Sequence, residues 1–463
     1  MTGRFFSPEV VKENGAARLL VLDTHEYECG AAKTPPTIRG HSMTCFSKTL
    51  RVGAALALGA LAGPALATNG YFANGYGGQS KGMAGAGVAV STGVLGMAQN
   101  PATGVKVGNS AALCLTFFAP DRDVTIAPGG PLTPGKFKSQ NDVFVIPCGG
   151  ANFELGSRAT LGLFVFGNGG MNTEFDTNFF AGFGAGSAPL GVNLEQAFIT
   201  ANLAYQVTDR LSLGISPILA VQRFKAEGLE AFDNPGFSVA PGQVTNRGHD
   251  WSTGGGVNLG LLYEASEAWT LGAAYRSRIQ MSRFDKYSGL FADGGDFDIP
   301  AMLTLGAAYT PVALPDWTFT GEYQRIFYGE VDSIANPSAP PGGPLGAPGG
   351  LGFGWEDVDV LRLAAIWRKS DRLTLRGGVS YSTDFISNDG EVVINTIAPG
   401  TPQWHISVGG SYALNDRWEA TFAYTHAVSN SFSGSNPALT GAAQNVKIRM
   451  HQNEVVTGLS YHW

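Results

Sequence analysis

From residue 110 to the C-terminus, apolar and polar residues alternate in one segment after another. Trp404, Ile406 and Val408, for example, alternate with His405 and Ser407. Such alternation indicates β-strands with one apolar and one polar face. Charged residues keep to one face, while aromatic residues gather near the strand ends on the other. That distribution favours strands that face lipid over the strands of a soluble sandwich.

The alternating segments number fourteen, an even count that is typical of single-chain bacterial barrels. Their connections alternate between short and long. Short turns are typical of the periplasmic side and long loops of the outer side, which places both termini in the periplasm. The sequence therefore predicts an all-β fold, a 14-stranded antiparallel transmembrane β-barrel over residues 110–463. The predicted strands are 110–121, 141–155, 158–169, 192–206, 210–225, 250–265, 268–283, 297–310, 316–329, 355–369, 371–385, 402–414, 416–430 and 446–463.

The stretch before the barrel, residues 68–109, has neither a helical nor a strand period and is rich in glycine. It ends in the turn Asn100-Pro101-Ala102. A segment of this composition cannot build a core of its own, yet it lies where a closed barrel needs something to fill its lumen. We therefore predict that residues 68–109 form an N-terminal hatch, a plug inside the barrel.

An export signal precedes the predicted hatch. Residues 43–67 begin with a positive region at Lys48 and Arg51, continue through an apolar run, and end in a small-residue cleavage site. The alternative is a short buried helix. A signal peptide has no place behind another segment, so we expect Met43 to be the true start and residues 1–42 to be a translated upstream extension.

Composition agrees with a membrane barrel. Charged residues make up 14% of the chain, against roughly 25% in a soluble domain, and no apolar run reaches the ~18 residues of a membrane-spanning helix. The formal net charge is −7 and no basic patch indicates nucleic acid. We predict no cofactor and no metal site. Cys114 and Cys148 fall on consecutive strands, and either a disulfide or two free thiols would fit.

Three segments are similar to a known family. These are Gly82–Val105 with its Gln-Asn-Pro-Ala turn, the stretch Gly162–Phe175, and Ala274-Tyr275-Arg276-Ser277. Together they resemble the outer-membrane long-chain fatty acid transporter family (FadL/TodX type). The resemblance implies a Gram-negative outer-membrane channel with fourteen strands and a hatch. It also implies passive uptake of long-chain fatty acids or other hydrophobic compounds, which outer loops capture and an opening in the wall releases sideways.

Two sites follow from the resemblance. The hatch turn falls on Asn100, Pro101 and Ala102, and the kink that opens the third strand falls on Gly167, Asn168, Gly169 and Gly170. Consecutive glycines inside a strand mark a bend where pairing stops and another backbone can approach. The alternative is that these glycines only end the strand at the following loop.

Candidate ligand contacts lie in the outer loops and the lumen. The loop candidates are Phe179, Phe180, Phe183, Phe232, Phe237, Leu290 and Phe291. They form either small loop cores or an apolar capture site. Arg276 and Arg278 point to the lumen by alternation, where each meets a carboxylate headgroup or pairs with an acid such as Glu322 or Glu419.

Three other functions remain open at this stage. A general porin would lack a plug. A lipid-modifying membrane enzyme would need a nucleophile motif, and the serines form none of the Gly-x-Ser-x-Gly type. An adhesin would use the outer loops alone. Expected partners are hydrophobic small molecules, outer-membrane lipid and, through C-terminal Trp463, the barrel-assembly machinery; we expect a monomer. The Gly/Pro-rich loop 336–354 leaves fatty acids and aromatic hydrocarbons both open as substrates.

Overall fold

Fourteen long strands form one closed antiparallel sheet in the computed structural model, which describes residues 69–338, 343–386 and 388–463. Each strand pairs with the next, and the last pairs with the first from Ser110 opposite His462 to Ile126 opposite Val446. The predicted 14-stranded barrel is therefore confirmed. The strands are β1 Ser110–Ile126, β2 Phe144–Glu154, β3 Ala159–Asn172, β4 Gly191–Gln206, β5 Leu211–Glu227, β6 Asp250–Glu264, β7 Trp269–Arg276, β8 Met302–Tyr309, β9 Trp317–Ile326, β10 Val358–Arg368, β11 Leu373–Ser382, β12 Trp404–Ala413, β13 Trp418–Gly434 and β14 Val446–His462.

The alternation in the sequence matches the two faces of the wall. On β1, Leu113 and Phe117 are exposed on the outside, whereas Thr116 and Phe118 are buried inside. Aromatic pairs such as Trp269–Tyr309 at the turn end, and Tyr381–Trp404 at the loop end, lie at the strand termini as interfacial girdles do. None of the described helices is long and apolar enough to span a membrane.

Most strand ends differ by a few residues from the prediction, and two departures are larger. A short strand, Gly135–Lys138, extends the sheet beside the outer end of β1 and was not predicted. The predicted strand 268–283 stops at Arg276 as β7, because the Ser277 hydroxyl accepts the Val257 amide at 3.1 Å in place of a backbone carbonyl. The chain then rejoins β6 as the two-residue strand Gln280–Met281.

Residues 69–109 lie inside the barrel, and nearly all of residues 69–104 are buried. They form one turn of α-helix, Gly77–Lys81, and two 3₁₀ helices, Val94–Ala98 and Pro101–Lys106. The remainder is irregular, as its glycine content predicts. The predicted export signal and the predicted upstream extension, residues 1–67, lie outside the described residues.

Inward-facing glycines of the wall make room for the hatch backbone. A Cβ atom on Gly272 would lie 2.1 Å from the Val88 carbonyl oxygen, and one on Gly260 would lie 2.2 Å from the Asn100 side-chain oxygen. Real Cβ atoms do not approach so closely, so the wall and the hatch fit only because these positions lack side chains. Further glycines that face the hatch in this way are Gly162, Gly214, Gly306, Gly378 and Gly409.

Candidate functional site

The predicted hatch turn is tied to β6 by the Asn100 side chain. Asn100 accepts the Ala102 amide at 3.0 Å and donates to the Leu261 carbonyl of β6 at 2.9 Å. Pro101 occupies the first position of the following 3₁₀ helix, where no backbone donor is needed. The Asn100 side chain therefore forms one hydrogen bond within the turn and one to strand β6.

Wall amides satisfy the irregular hatch backbone. The side-chain nitrogen of Asn258 donates to the Ala98 carbonyl at 3.0 Å, that of Asn202 to Pro101 at 3.2 Å, and that of Asn152 to Gly108 at 2.9 Å. Buried carbonyls without partners would each be costly, so these three asparagines replace the secondary structure that the hatch lacks.

Two buried ion pairs add to this attachment. Arg362 of β10 lies 2.8 Å from Glu322 of β9, and the second oxygen of Glu322 accepts the backbone amides of Gly87 and Val88, each at 2.9 Å. Lys81 of the hatch pairs with Glu454 of β14. Removing one partner of such a buried pair would leave the other charge uncompensated, which is strongly destabilising.

Sequence reasoning missed both ion pairs as hatch contacts. Glu322 was named only as a general acid partner for arginine, and Arg362 and Glu454 were not singled out. These residues could have been recognised in the sequence as charged residues on the lumen side of regularly alternating strands.

The kink in β3 is a one-residue bulge. Pairing with β4 passes from Gly167 opposite Ala197 to Gly169 opposite Gln196, so Asn168 is left without a partner in the ladder. β3 continues beyond the glycines to Asn172 and does not end at them.

An opening in the sheet lies beside this kink. Pairing between β2 and β3 runs only from Glu154 opposite Thr160 to Gly149 opposite Val165. Beyond that point residues 144–148 of β2 pair with β1 alone, over about 16 Å at strand spacing. Pro147 lies in this stretch, as expected of a strand edge. We call the opening between residues 144–148 and residues 166–171 the lateral window.

The outer end of the lateral window is closed by a clasp. Arg122 of β1 donates to the carbonyls of Asn141 and Asn172, and the side chains of Asn141 and Asn172 are bonded at 2.7 Å. Together with the Gly149–Val165 pair below, this clasp makes the window a bounded gap in an otherwise continuous wall.

The hatch pairs with the kink where β2 does not. The Ala73 amide donates to the Asn168 carbonyl at 2.9 Å, and the Gly170 amide donates to the Tyr71 carbonyl at 2.9 Å. A Cβ atom on Gly169 would lie 1.8 Å from the Tyr71 oxygen, so only glycine permits this approach. The start of the hatch therefore acts as a short substitute strand at the window.

A buried arginine lies behind the lateral window. Arg276 donates to the side-chain oxygen of Asn168 at 2.7 Å, and its guanidinium carbon lies 4.8 Å from the Phe72 ring centre and 5.2 Å from that of Phe198. Its side chain is fully buried, and Nε and Nη2 have no hydrogen-bond partner among the described residues. It therefore has unused donors that suit an anionic group.

Aromatic rings line the window on both sides. Phe118 and Phe144 of β1 and β2 have ring centres 6.1 Å apart, and Phe166 of β3 lies 4.5 Å from Tyr76 of the hatch and 5.8 Å from Phe164. Buried aromatic rings thus surround the lumen side of the window, next to the polar cluster around Asn168 and the Arg122 guanidinium, which lies 5.7 Å from the Phe144 ring centre.

The loop phenylalanines pack against one another. Phe180 lies 5.0 Å from Phe179 and 5.2 Å from Phe232, which in turn lies 5.4 Å from Phe237. Phe179, Phe180 and Phe232 are buried, whereas Phe183 and Phe237 are half-buried at the edge. The second and third long loops therefore share one aromatic cluster.

A second aromatic series leads from the fourth long loop to the hatch. Phe291 lies 4.8 Å from Phe297, and Phe297 lies 6.1 Å from Tyr71. Leu290 is half-buried beside this series. The two loop candidates thus connect to the residue that pairs with the kink.

Arg278 does not point to the lumen, which corrects the expectation from alternation. Since β7 ends at Arg276, Arg278 lies in the outer loop, where its Nε is 2.8 Å from Asp298 and its Nη2 is 3.6 Å from Asp296. Burial and the neighbouring Asp298 raise the pKa of Asp296 to about 6, against the opposing effect of Arg278. Neither Arg276 nor Arg278 pairs with Glu322, which Arg362 occupies.

The cysteines lie directly opposite each other. Cys114 of β1 and Cys148 of β2 are a cross-strand pair with Cα atoms 5.0 Å apart, and they are joined as a disulfide. This separation is within the range of natural disulfides. Cys148 is the last residue of the window before the Gly149–Val165 pair, and the disulfide fixes β2 to β1 there.

A cavity of about 360 Å³ lies at the turn end of the barrel, away from the window. Hatch residues Ala89 and Val90 form one side, and charged groups including Glu264 and Arg368 form others. Its charged lining does not suit a hydrophobic compound. Among the described residues, no cluster of three His, Cys, Asp or Glu side chains is arranged to hold a metal ion.

Comparison with known proteins places this barrel among transport channels. The family model for outer membrane protein transport proteins (OMPP1/FadL/TodX) matches residues 59–463. The crystal structure of the Pseudomonas putida toluene transporter TodX is 20% identical with a TM-score of 0.64, over 84% of this chain and 99% of that one. No curated protein sequence matches.

Two further solved structures are similar. A Pseudomonas aeruginosa FadL homologue is 17% identical with a TM-score of 0.62, over 85% of this chain and 99% of that one. The Ralstonia pickettii toluene transporter TbuX is 18% identical with a TM-score of 0.58, over 84% and 99%. At these identities the likeness establishes the fold.

Proposed function

Because the chain belongs to the outer membrane protein transport protein family (OMPP1/FadL/TodX), we propose that it takes up hydrophobic compounds passively, captures them at its outer loops and releases them sideways through the lateral window. The family assigns it to the outer membrane as a transporter of hydrophobic compounds and not an enzyme. The lipid-modifying enzyme is thereby set aside, and the buried hatch argues against a general porin.

Capture begins at the edge of the aromatic loop clusters. Phe183, Phe237 and Leu290 are half-buried there and offer apolar surface to an arriving compound. From Leu290, the series through Phe291 and Phe297 reaches Tyr71, which pairs with the kink. A compound that follows these rings stays in apolar surroundings from the loops to the window.

The lateral window is the observation that carries the proposal. In this state Tyr71 and Ala73 cover its inner side through two backbone hydrogen bonds to β3. Each such bond contributes a net ~1 kcal/mol, and the Tyr71 amide also donates to the Tyr328 hydroxyl at 3.2 Å. Withdrawal of the start of the hatch breaks these bonds and exposes the buried Tyr71 ring, while Asn100, Glu322 and Lys81 keep the rest attached. A substrate that displaces Tyr71 and Ala73 then meets the apolar rings of the window and, beyond them, lipid.

Long-chain fatty acids are the favoured substrate class. The unused donors of buried Arg276 suit a carboxylate, and its position behind the window supports a contact with the headgroup during release. Each CH₂ of the tail adds ~0.8 kcal/mol when buried among the rings. Aromatic hydrocarbons are the second candidate, because the rings at the window and loops would accept them without any charged group.

We also propose that residues 43–67 direct export and that the mature chain starts near Thr68. Edman sequencing of protein from outer membranes tests this, since a start elsewhere contradicts it. Trp463, at the end of β14, is proposed as the signal that the barrel-assembly machinery reads, and the barrel acts as a monomer.

Uptake measurements test the proposed function. Cells that express the chain should accumulate labelled oleate faster than cells with an empty vector, and equal rates for both oleate and toluene would remove the transport proposal. Mass spectrometry of compounds extracted from protein purified in mild detergent gives an independent readout, and the proposal expects fatty acids.

A further inference from the structure

Charged side chains face outward at the outer ends of several strands, above the lipid-facing apolar residues. In two sectors of the wall they are paired with acids, so these sectors are neutral or negative. The pairs are Glu195–Arg223 and Glu227–Lys225 on β4 and β5, and Arg325 with Asp357 and Asp359 on β9 and β10.

A third sector is different. It is formed by the short strand Gly135–Lys138, β1 and β14, which lie side by side. One row across these strands is Lys138, Asp123 and Arg449, and the next is Lys136, Thr125 and Lys447. We call these six residues, with the neighbouring Asp121, the basic sector.

The acids of the basic sector are already occupied. Lys138 lies 2.7 Å from Asp121, and Arg449 pairs with Asp123. Lys136 lies 3.8 Å from the same Asp123, and Lys447 has no ion pair among the described residues. Asp142 acts on Lys138 as well, so the uncompensated positive charge is concentrated on Lys136 and Lys447.

The height of the basic sector follows from the length of the apolar run below it. Outward residues of β1 are apolar from Ala111 to Ala119, with Leu113, Leu115 and Phe117 exposed. That run matches the ~9–11 residues that a strand needs to cross the hydrocarbon. Since Asp121 is the next outward residue, the sector stands at the level of the lipid headgroups of the outer leaflet.

We propose that the basic sector binds the phosphate-bearing headgroup of an outer-leaflet lipid. Lys136 and Lys447 flank Thr125 across two strand spacings, about 10 Å, and the Thr125 hydroxyl lies between them. Two ammonium groups and a hydroxyl match the charge and the acceptor oxygens of a phosphate. The bound lipid stands beside β2 and hence beside the lateral window. This inference depends on the long loops facing the outside of the cell, and it does not depend on the transport proposal.

Native mass spectrometry of the full chain in detergent tests the proposal. The probes are the phosphorylated glycolipid lipid A and the same lipid after enzymatic dephosphorylation. The wild type should retain the phosphorylated lipid, and the variant Lys136→Gln with Lys447→Gln should bind it on the order of tenfold or more weakly. The control, Lys225→Gln with Lys369→Gln, removes the same charge elsewhere on the barrel and should bind as the wild type does.

Each other outcome overturns the assignment. Equal retention of the dephosphorylated lipid would mean that phosphate is not recognised. Unchanged binding by the Lys136 and Lys447 variant would place the lipid elsewhere. Displacement of the lipid by equimolar inorganic phosphate would indicate a soluble phosphate as the ligand, and a selective loss of oleate binding would indicate a capture site for substrate.

Discussion

Arg276 is a buried cation whose Nη1 donates to the Asn168 side-chain oxygen at 2.7 Å and to the Tyr76 hydroxyl at 3.3 Å, and it has no carboxylate partner among the described residues. Burial of a charge in this state is costly, and the Phe72 and Phe198 rings compensate for only part of it. Residues kept in costly environments are often functional. An anionic headgroup that bound Arg276 during transport would offset the free energy of burying this charge.

Substitution of Arg276 by Gln should separate two substrates. Oleate uptake should fall about tenfold or more, because the carboxylate loses its charged partner, whereas toluene uptake should change less than twofold. The ratio of the two rates in the same cells is the measurement, and toluene serves as the internal control for folding. A parallel loss of both rates would assign Arg276 to the structure of the window and not to substrate choice.

Asp296 gives the fourth long loop a dependence on pH. The pKa of its carboxyl is raised to about 6 in the folded loop. Between about pH 4 and pH 6 the carboxyl is therefore protonated when the loop is folded (closed) and ionised when the loop is locally unfolded (open). The closed loop is therefore favoured as the pH falls through 6, and its stability decreases as the pH rises through that range.

Hydrogen exchange measures this effect. Amide protection in residues 284–301, corrected for intrinsic rates, should be higher at pH 4.5 than at pH 7.5. The variant Asp296→Asn should lose most of the difference. Greater protection of the wild type at pH 7.5 would contradict the sign.

The side of the wall that a residue faces was predictable from the sequence where the residue lies within a regularly alternating strand. Alternation placed Arg276 on the lumen side, and the structure buries it there. It misplaced Arg278, because the strand ends at Arg276, where the Ser277 hydroxyl replaces a backbone carbonyl as acceptor, and not at the predicted residue 283. Partners such as Asp298 and Asn168 come from distant loops and strands, and no local pattern carries that information.

At the scale of elements, the hatch and β3 depend on each other. The hatch has little regular structure of its own and takes hydrogen bonds from wall asparagines and Glu322. β3 loses its neighbour β2 beyond Val165 and takes Tyr71 and Ala73 instead. Each element is thus incomplete without the other.

The fit between hatch and wall predicts the effect of Gly272→Val. The new side chain would meet the Val88 carbonyl at 2.1 Å, which should lower the free energy of unfolding by about 1–3 kcal/mol through overpacking. Thermal unfolding in detergent gives the comparison, with Gly377→Val as the matched control, since its Cβ meets only the Ser407 oxygen at 3.8 Å. Equal midpoints for the two variants would contradict a tight fit at Gly272.

Elements were predictable where regular patterns repeat. Fourteen strands and their order follow from alternation and turn length. The short strand Gly135–Lys138 does not, because only four residues pair and they carry two lysines. Glycines at lumen positions, such as Gly260 and Gly272, were a further signal of a filled lumen, but their individual hatch contacts depend on the folded path.

For the whole molecule, attachment of the hatch is uneven. Residues from Asn100 to Lys106, together with Lys81 and Gly87, are held by side chains from several strands. The start of the hatch is held by two backbone hydrogen bonds to β3, by the Tyr328 hydroxyl and by burial of the Tyr71 and Phe72 rings. A local withdrawal of residues 71–73 breaks fewer contacts than removal of the whole plug. The central claim is that this withdrawal opens the lateral window to lipid.

Uptake of labelled oleate by cells carrying Gly169→Val with Gly170→Val tests that claim most directly. A Cβ atom at Gly169 would lie 1.8 Å from the Tyr71 oxygen, so valine displaces Tyr71 and the branched side chains themselves fill the window in its place. Uptake should therefore fall to the level of cells without the protein. The barrel should remain folded, as judged by heat-dependent mobility on gels, and the Gly377→Val control should transport normally. Uptake by the double variant at or above the wild-type rate would contradict release through the window.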